Sequence, residues 1–347
     1  MVVHPAGHEG GESMKISIAM ATYNGERWLQ EQLASFTTQT RLPDELVVTD
    51  DRSSDSTLTV LEDFALTAPF AVRAEANPGN LGFAQNFGRA LALCSGDLVF
   101  LCDQDDAWLD EKIERIVSEV RQRPDKACFM NDAFLADGDL RPTGQTKLGQ
   151  IRATGVGEEN FVMGCCAAIR RPLLDLVLPI PTGIPAHDSW IVQVSDVLGL
   201  TVRIDVPLQY YRRHGGNVSK FFVNDIDRMP PLRRLGVRLT QTLANRTSSA
   251  NLDRERMYMS AISDRLGERR AAVADLVGPD RAARIEADLR RRVKVLDRRR
   301  SVRNAGVLAR PGALYRLWRE GGYRISGGLK GMLKDALASG PSPEEGR

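Results

Sequence analysis

Short apolar runs alternate with segments of helical periodicity from Met14 to about Tyr211. The apolar runs predict strands over 15–21, 45–49, 71–76 and 97–102. The periodic segments predict helices over 26–36, 56–66, 82–93 and 109–122. Strands that alternate with helices in this way are typical of βαβ units. The pattern therefore predicts an α/β domain with a mostly parallel sheet flanked by helices.

The pattern changes after Tyr211. Residues from about 231 to 336 carry few strand signals, and helical periodicity is visible over 252–277 and 282–302. Basic residues outnumber acidic residues here. We therefore expect three parts: a Gly-rich, disordered tail over 1–13, an α/β domain over 14–220, and a basic helical region over 221–347.

The composition of the chain narrows the classes of protein that fit the sequence. Hydrophobic residues make up 42% of the chain and charged residues 27%, which is ordinary for a globular protein. No apolar run approaches the roughly 20 residues that a membrane-spanning helix needs. The five cysteines lie in apolar or strand-like contexts without a CxxC pair. They predict buried free thiols in a reducing cytoplasm.

Polar clusters follow three of the predicted strands. They are 22–25 (TYNG), 50–54 (DDRSS) and 103–106 (DQDD). In open α/β sheets the ligand crevice lies at the carboxyl ends of the strands. We therefore expect the three clusters to form one site.

The acidic residues of these clusters have two interpretations each. Asp103 and Asp105, separated by one residue beyond a buried strand, can hold a hard divalent cation, Mg²⁺ or Mn²⁺, or can form a capping turn. Asp50 and Asp51 can contact a nucleotide, with Asp51 favoured, or can cap the next helix. The same choice arises at Asp188, which opens a predicted helix and is either a cap or a general base.

The sequence resembles the inverting glycosyltransferases of family 2, which have the GT-A fold, and within them the bacterial rhamnosyltransferase-like branch. The matching stretches occur in the expected order and are 17–25 (SIAMATYNG), 47–57 (VVTDDRSSDST), 80–86 (NLGFAQN), 96–108 (GDLVFLCDQDDAW), 163–165 (MGC), 187–190 (HDSW) and 210–219 (YYRRHGGNVS). No single stretch is specific, but the set is.

The resemblance implies roles for individual residues. On the donor side, the nucleotide would be bound by Thr22, Tyr23, Asn24, Asp51 and Asp103, and the metal by Asp105, Asp103 and His214. On the acceptor side, Asp188 would be the catalytic base, and a pocket for the acceptor or donor sugar would be lined by Gly164, Cys165, His187 and Trp190. One departure is Arg52, where many relatives have glycine.

The function that the resemblance implies is transfer of a sugar from a nucleoside-diphosphate-sugar to a hydroxyl of a glycan or lipid-linked acceptor. Candidate donors are dTDP-rhamnose and UDP-sugars, and the setting would be assembly of cell-surface polysaccharide or glycoconjugate. Two alternatives stay open. A sugar-nucleotidyltransferase normally has a Gly-rich, basic loop after the first strand, which 22–25 lacks. A non-catalytic nucleotide- or membrane-binding relative would not need Asp188.

Two arginine runs, 290–292 and 298–300, lie in the basic region. They either form a solvated helical face with Arg–Glu pairs or contact anionic lipid at the inner face of the cell membrane. Nucleic acid is not expected as a partner, because the net charge is only +2 and no binding motif accompanies the runs.

Overall fold

The computed structural model describes residues 14–153, 157–214, 249–306 and 308–338. The chain divides into two compact units, Met1–Gly216 and Asn217–Arg347. The tail expected over 1–13 lies outside the described residues, as does the part of the motif 210–219 that follows His214.

The first half of unit 1 alternates strands and helices, close to the predicted bounds. The strands are β1 (Ile16–Thr22), β2 (Glu45–Asp50), β3 (Ala71–Ala76), β4 (Leu98–Cys102) and the short β5 (Ala107–Trp108). The helices are α1 (Glu26–Thr37), α2 (Thr57–Thr67), α3 (Phe83–Leu93) and α4 (Lys112–Gln122). The first four strands are parallel, in the order β3-β2-β1-β4. Their carboxyl ends therefore lie at one edge of the sheet.

The second half of unit 1 completes the sheet. Its elements are β6 (Cys128–Ala136), β7 (Pro142–Thr146), α5 (Lys147–Ala153), β8 (Ala167–Arg170), α6 (Arg171–Val177), α7 (His187–Leu198) and β9 (Thr201–Arg212). The order continues as β4-β8-β6-β9-β5, with β7 on β6. β8 is antiparallel to β4 and β6, whereas β9 is parallel to β6. The expected parallel arrangement holds for the first four strands, and the sheet is mixed beyond them.

The core of unit 1 lies between the sheet and the helices that cover it. α1 contributes Leu29, Leu33 and Phe36, spaced so that they share one helical face. They pack in the same cluster as the apolar side chains of β1 and β4. All five cysteines are buried and have free thiols. The strand ends are thus supported by a buried apolar core.

Unit 2 is helical over its described residues. Its helices are α8 (Ser249–Glu268), α9 (Arg270–Val277), α10 (Pro279–Asn304), α11 (Arg310–Arg319), α12 (Gly322–Ile325) and α13 (Gly328–Ala336). The segment 252–277, expected as one helix, forms two helices, because the helical conformation is interrupted at Arg269. Among the described helices, none combines the length and apolar character needed to cross a membrane.

Most arginines of the two runs form ion pairs. Five of the six arginines pair with acidic residues of unit 2: Arg290 with Glu286, Arg292 with Glu255, Arg298 with Glu320, Arg299 with Asp335, and Arg300 with Asp253. The buried Asp335 also accepts hydrogen bonds from Arg303 Nε (2.7 Å) and Tyr323 Oη (3.1 Å). These contacts favour the interpretation of the runs as a paired helical face.

Candidate active site

The loops after β1 and β2 are joined by side-chain hydrogen bonds. Thr22 Oγ1 donates to Asp50 Oδ2 at 2.8 Å, and Asp50 also accepts from the backbone N–H and the hydroxyl of Ser53. Asn24 Oδ1 accepts from the Ser54 N–H at 2.8 Å. Asn24 has a φ of 47°, a left-handed conformation that asparagine tolerates better than most residues. Asp50 is therefore a structural residue that closes the turn after β2.

Asp51 holds the loop that leads into α3. Its buried carboxylate accepts hydrogen bonds from Asn77 Nδ2 (2.9 Å), the Leu81 N–H (2.7 Å) and the Gly82 N–H (2.8 Å). Three donors occupy most of the capacity of a carboxylate. This geometry does not support the expected direct contact of Asp51 with the nucleotide. Asp51 instead shapes the 77–82 loop beside the site.

Gln104, the middle residue of Asp-Gln-Asp, joins the loop after β4 to the loop after β1. Its Oε1 accepts from the Tyr23 N–H at 2.9 Å, and its Nε2 donates to the Tyr23 carbonyl at 3.1 Å. A Cβ at Gly25 would lie only 2.3 Å from Gln104 Oε1, so a larger residue there would displace the Gln104 side chain from this position. The sequence patterns did not single out Gln104. The Tyr23 ring is about half exposed at this edge.

Three aspartates follow β4, and each has a different environment. Asp106 is fully buried and accepts hydrogen bonds from Gln209 Nε2 and the Arg212 N–H, both at 3.0 Å. Burial, reinforced by the charges of Asp105 and Asp103, raises the pKa of Asp106 well above its usual range. Sequence reasoning missed Asp106 because its partners lie on β9, more than 100 residues later.

Asp105 pairs with a histidine from the end of β9. Its Oδ2 lies 2.8 Å from His214 Nε2, and the imidazole stacks on Trp28 of α1 with ring centroids 5.2 Å apart. The structure thus brings together two of the three residues expected to bind metal.

Asp103 is the third residue expected to bind metal. It is partly exposed and lies in the same acidic group. Burial of its carboxyl raises its pKa to about 7, and the charges of Asp105 and Asp188 add to this effect. The ligand atoms of Asp103, Asp106 and Cys165 lie within 4.8 Å of one another.

This group fits a hard divalent cation. Mg²⁺ and Mn²⁺ prefer oxygen ligands, and Asp103 and Asp105 offer carboxylates that are not fully buried. The Cys165 thiol is a poor ligand for them, because its pKa is raised by a hydrogen bond to Cys166 and by burial. Repulsion between Asp103 and Asp105 is what a cation would relieve.

Lys112 is a buried cation beneath the acidic group that the sequence patterns did not single out. Its Nζ donates to the Cys165 carbonyl at 2.9 Å and to Gln209 Oε1, and it lies 4.0 Å from the centroid of the Trp108 ring. Burial lowers the pKa of Lys112. Lys112 and Gln209 therefore connect α4, β9 and the 164–166 turn below the aspartates.

His187 and Asp188 form the first turn of α7. Asp188 is close enough to Asp103 for its charge to raise the pKa of that carboxyl. The buried His187 ring stacks on Phe87, with centroids 3.9 Å apart, and within the described part of the chain neither ring nitrogen has a hydrogen-bond partner. Burial lowers the pKa of His187 to about 4, against the opposing effect of Asp188.

The four residues expected to line a sugar pocket are all buried: Gly164, Cys165, His187 and Trp190. Trp190 is fully buried, and its indole N–H donates to the Val177 carbonyl at 3.0 Å. A Cβ at Gly164 would lie 2.9 Å from His187 Nε2 and 3.3 Å from Asp188 Cβ. These four residues therefore pack around the start of α7, and a place for them beside a bound sugar stays a prediction.

The mixed sheet, with polar and acidic residues at the ends of β1, β2 and β4, has the GT-A fold. The N-terminal part of TarS from S. aureus, solved in complex with UDP, has this fold. It aligns with a TM-score of 0.50 over 82% of this chain and 90% of that chain, at 18% identity. The family model "Glycosyl transferase family 2" matches residues 17–178, which lie within unit 1. The resemblance stated from the motifs is confirmed.

Some of the relatives among known proteins are named as glycosyltransferases. A glycosyltransferase of Nostoc sp., itself uncharacterised, is 29% identical over 248 residues, which cover 67% of this chain and 75% of that protein. An uncharacterised protein of Mycobacterium tuberculosis is 26% identical over 58% of this chain and 60% of its own length. The dTDP-rhamnosyl transferase RfbG of Shigella flexneri is 36% identical over 102 residues, only 28% of this chain and 35% of that protein.

Proposed function

We propose that this protein transfers a sugar from a nucleoside-diphosphate-sugar to an acceptor hydroxyl, with inversion at the anomeric carbon. The observation that carries the proposal is the position of Asp188 next to the 164–166 turn, whose Cys165 thiol lies within 4.8 Å of Asp103, so that the charge of Asp188 acts on the Asp103 carboxyl. A base beside a cation-binding acidic pair is the arrangement that a single displacement of a diphosphate needs. The proposed setting is glycan or glycoconjugate assembly in the cytoplasm.

The donor side is formed by the joined loops after β1, β2 and β4. The exposed Tyr23 ring and Asn24 face the nucleoside, Thr22 supports the loop from beneath, and Asp51 holds the 77–82 loop. Asp103, Asp105 and His214 are the residues that would hold Mg²⁺ or Mn²⁺. Such a cation, when bound, supplies Lewis-acid neutralisation of the charge that develops on the diphosphate leaving group.

The acceptor side is assigned to Asp188. Its carboxylate takes the proton of the attacking hydroxyl while the hydroxyl oxygen bonds to C1 and the bond from C1 to the diphosphate oxygen breaks. No covalent intermediate with the protein is required. The carboxylate accepts the Ser189 N–H at 2.6 Å, which fixes its orientation at the helix start. The neutral His187 ring and the missing side chain at Gly164 leave room for that position.

The test is a screen of donors for nucleotide release in the presence and absence of Mg²⁺ and Mn²⁺. dTDP-rhamnose is the first donor to try, given the partial likeness to a dTDP-rhamnosyl transferase, and UDP-sugars are the second. Release of nucleoside diphosphate by wild type, lost in Asp188→Asn, supports the proposal. Formation of nucleotide-sugar from a sugar phosphate and a nucleoside triphosphate would identify a nucleotidyltransferase instead. Donor binding without turnover of any donor would identify a non-catalytic relative.

A further inference from the structure

Exposed large apolar side chains concentrate in residues 308–338 of unit 2. Seven of the twelve found among the described residues lie there: Leu308, Tyr315, Trp318, Ile325, Leu329, Leu333 and Leu337. Leu329, Leu333 and Leu337 are spaced by four residues, so they share one face of α13 and its last turn. We call this the leucine face. A stripe of exposed leucines on one helix is a signature of a contact surface.

The leucine face is bordered by unpaired positive charge. Lys330 and Lys334 each follow one of its leucines directly. Across the residues that the structure describes, neither lysine has an acidic partner, and the same holds for Arg316, Arg319 and Arg324.

The two acidic residues of the segment are already neutralised. Glu320 pairs with Arg298, and the buried Asp335 pairs with Arg299 and Arg303. Five of the six arginines in the runs 290–292 and 298–300 are thus paired, whereas the lysines of α13 and the nearby Arg316, Arg319 and Arg324 are not, over the residues that the structure describes.

We propose that the leucine face docks on the surface of an anionic lipid bilayer, with α13 lying in the plane of the interface. Leucines facing the acyl boundary, with lysines extending to the head groups, are the arrangement of an interfacial helix. Each lysine near an anionic surface contributes favourably to binding. A protein partner fits less well, because protein interfaces are depleted of lysine. A nucleic acid also fits less well, because its phosphate backbone provides no apolar surface on which three leucines could be buried.

The neighbouring helix adds a second feature of the same kind. α11 packs on α13, and its Tyr315 and Trp318 are exposed with ring centroids 6.1 Å apart. Tyrosine and tryptophan are enriched at the level of lipid head groups because each ring is apolar with one polar atom. The inference does not rest on the proposed glycosyl transfer, because it concerns unit 2 alone.

The experiment is co-sedimentation of the full chain with vesicles of phosphatidylcholine alone or mixed equally with phosphatidylglycerol, at low and high salt. Wild type sediments with the anionic vesicles at low salt and is partly released as salt screens the lysines. The variant with Leu329→Ser, Leu333→Ser and Leu337→Ser binds at least about tenfold more weakly. The variant with Lys330→Gln and Lys334→Gln loses roughly fivefold per charge on anionic vesicles only.

Matched controls come from the same chain. Leu66→Ser removes a leucine of unit 1 that is 86% exposed, and Arg291→Gln removes the exposed, unpaired arginine of the first run, as judged over the residues that the structure describes. Both bind as wild type does. Near-ultraviolet circular dichroism checks that each variant is folded. We expect every variant to fold because the replaced side chains are exposed.

Three outcomes overturn the inference. The first is wild type that stays in the supernatant with anionic vesicles at low salt, or a triple leucine variant that binds as wild type does. The second is an Arg291→Gln variant that loses as much binding as the lysine variant, which would move the contact to the arginine run. The third is a wild type that forms a dimer in light scattering and does not bind vesicles, together with a triple leucine variant that is a monomer. That result would make the leucine face a contact between two copies.

Discussion

His214 Nε2 lies 2.8 Å from Asp105 Oδ2, although the two residues are 109 positions apart in the chain. The pair connects the end of β9 to the loop after β4, and the stack of His214 on Trp28 adds α1 to the same contact. A carboxylate and an imidazole held together at the edge of the acidic group are suited to the metal-binding role proposed for them.

Loss of either of these proposed metal ligands should weaken binding of a nucleoside diphosphate in the presence of Mn²⁺. We expect Asp105→Asn and His214→Ala to reduce affinity by about tenfold or more, as substitutions around metal sites commonly do. Isothermal titration calorimetry measures this with and without metal. Asp139→Asn, which removes an exposed carboxylate of the β6–β7 hairpin, is the matched control and should bind as wild type does. Equal affinity and equal metal dependence in all variants would remove both residues from the site.

Asp188→Asn should keep donor affinity and folding while turnover falls by roughly 10²–10⁴-fold, the usual contribution of a general base. His187→Gln should lose far less, because a ring nitrogen with a pKa of about 4 is already neutral and, among the described residues, has no partner to which it passes a proton. Steady-state kinetics on both variants separate the two residues. Normal turnover in Asp188→Asn together with inactive His187→Gln would assign the base to His187.

Gly164→Ala should displace the start of α7. The new Cβ would lie 2.9 Å from His187 Nε2, and the neighbouring Asp188 would have to move with it. Misplacement of a catalytic group by about 1 Å can cost on the order of 10²-fold in rate, so kcat should fall while donor affinity is kept. Gly79→Ala is the control, because no described atom lies within 4 Å of the position that its Cβ would take. A Gly164→Ala enzyme with wild-type kcat would contradict the close packing of Gly164 against His187.

Folding stability should depend on pH through His187. Its folded pKa is about 4 against 6.5 for the free side chain, so below pH 6.5 the unfolded chain binds a proton that the folded chain does not. The contribution of His187 to the free energy of unfolding is therefore fully present above pH 6.5. It is lost progressively as the pH falls toward 4, by about 3 kcal/mol in total. Urea titrations at several pH values measure it. The His187→Gln variant should lack most of this slope; an unchanged slope would assign it to other groups.

Arg52 has a φ of 69°, where a side chain is strained and glycine is not. Arg52→Gly should therefore stabilise unit 1 slightly, by about 0.5–1 kcal/mol, because relief of strain exceeds the added entropy of the unfolded chain. Arg52→Val, β-branched, should destabilise it. Thermal unfolding of the two variants against wild type measures the difference. Destabilisation by glycine would mean that the arginine side chain makes a contact worth more than the strain.

The sequence was sufficient for the sheet of unit 1 and for where the site lies on it. Hydrophobic periodicity located β1 to β4 and α1 to α4 because each element buries a regular set of side chains. Parallel strands place their carboxyl ends together, so the clusters at Thr22, Asp50 and Asp103 could be expected to meet. Arg52 was noted as a departure from glycine, and its positive φ gives that departure a physical meaning.

The roles of single residues were harder to predict, because they depend on partners distant in sequence. Asp51 was expected to face a ligand, but its three donors come from the 77–82 loop. Trp190 was expected to face a sugar, but its side chain is fully buried and its indole N–H donates to the Val177 carbonyl at the end of α6. Lys112 lies in an amphipathic helix where lysine is ordinary, and only the tertiary fold places it under the aspartates. Periodicity carries no information about such contacts.

The two hydrogen bonds between Gln104 and Tyr23 make the loops after β1 and β4 a single mechanical unit. Whatever orders one of these loops also orders the other, and the entropy of ordering is lost only once. Occupants of the two loops should then assist each other, and thermodynamic reciprocity requires the assistance to be equal in both directions. The amide side chain between the two aspartates is thus the point at which the proposed donor and cation sites would be coupled.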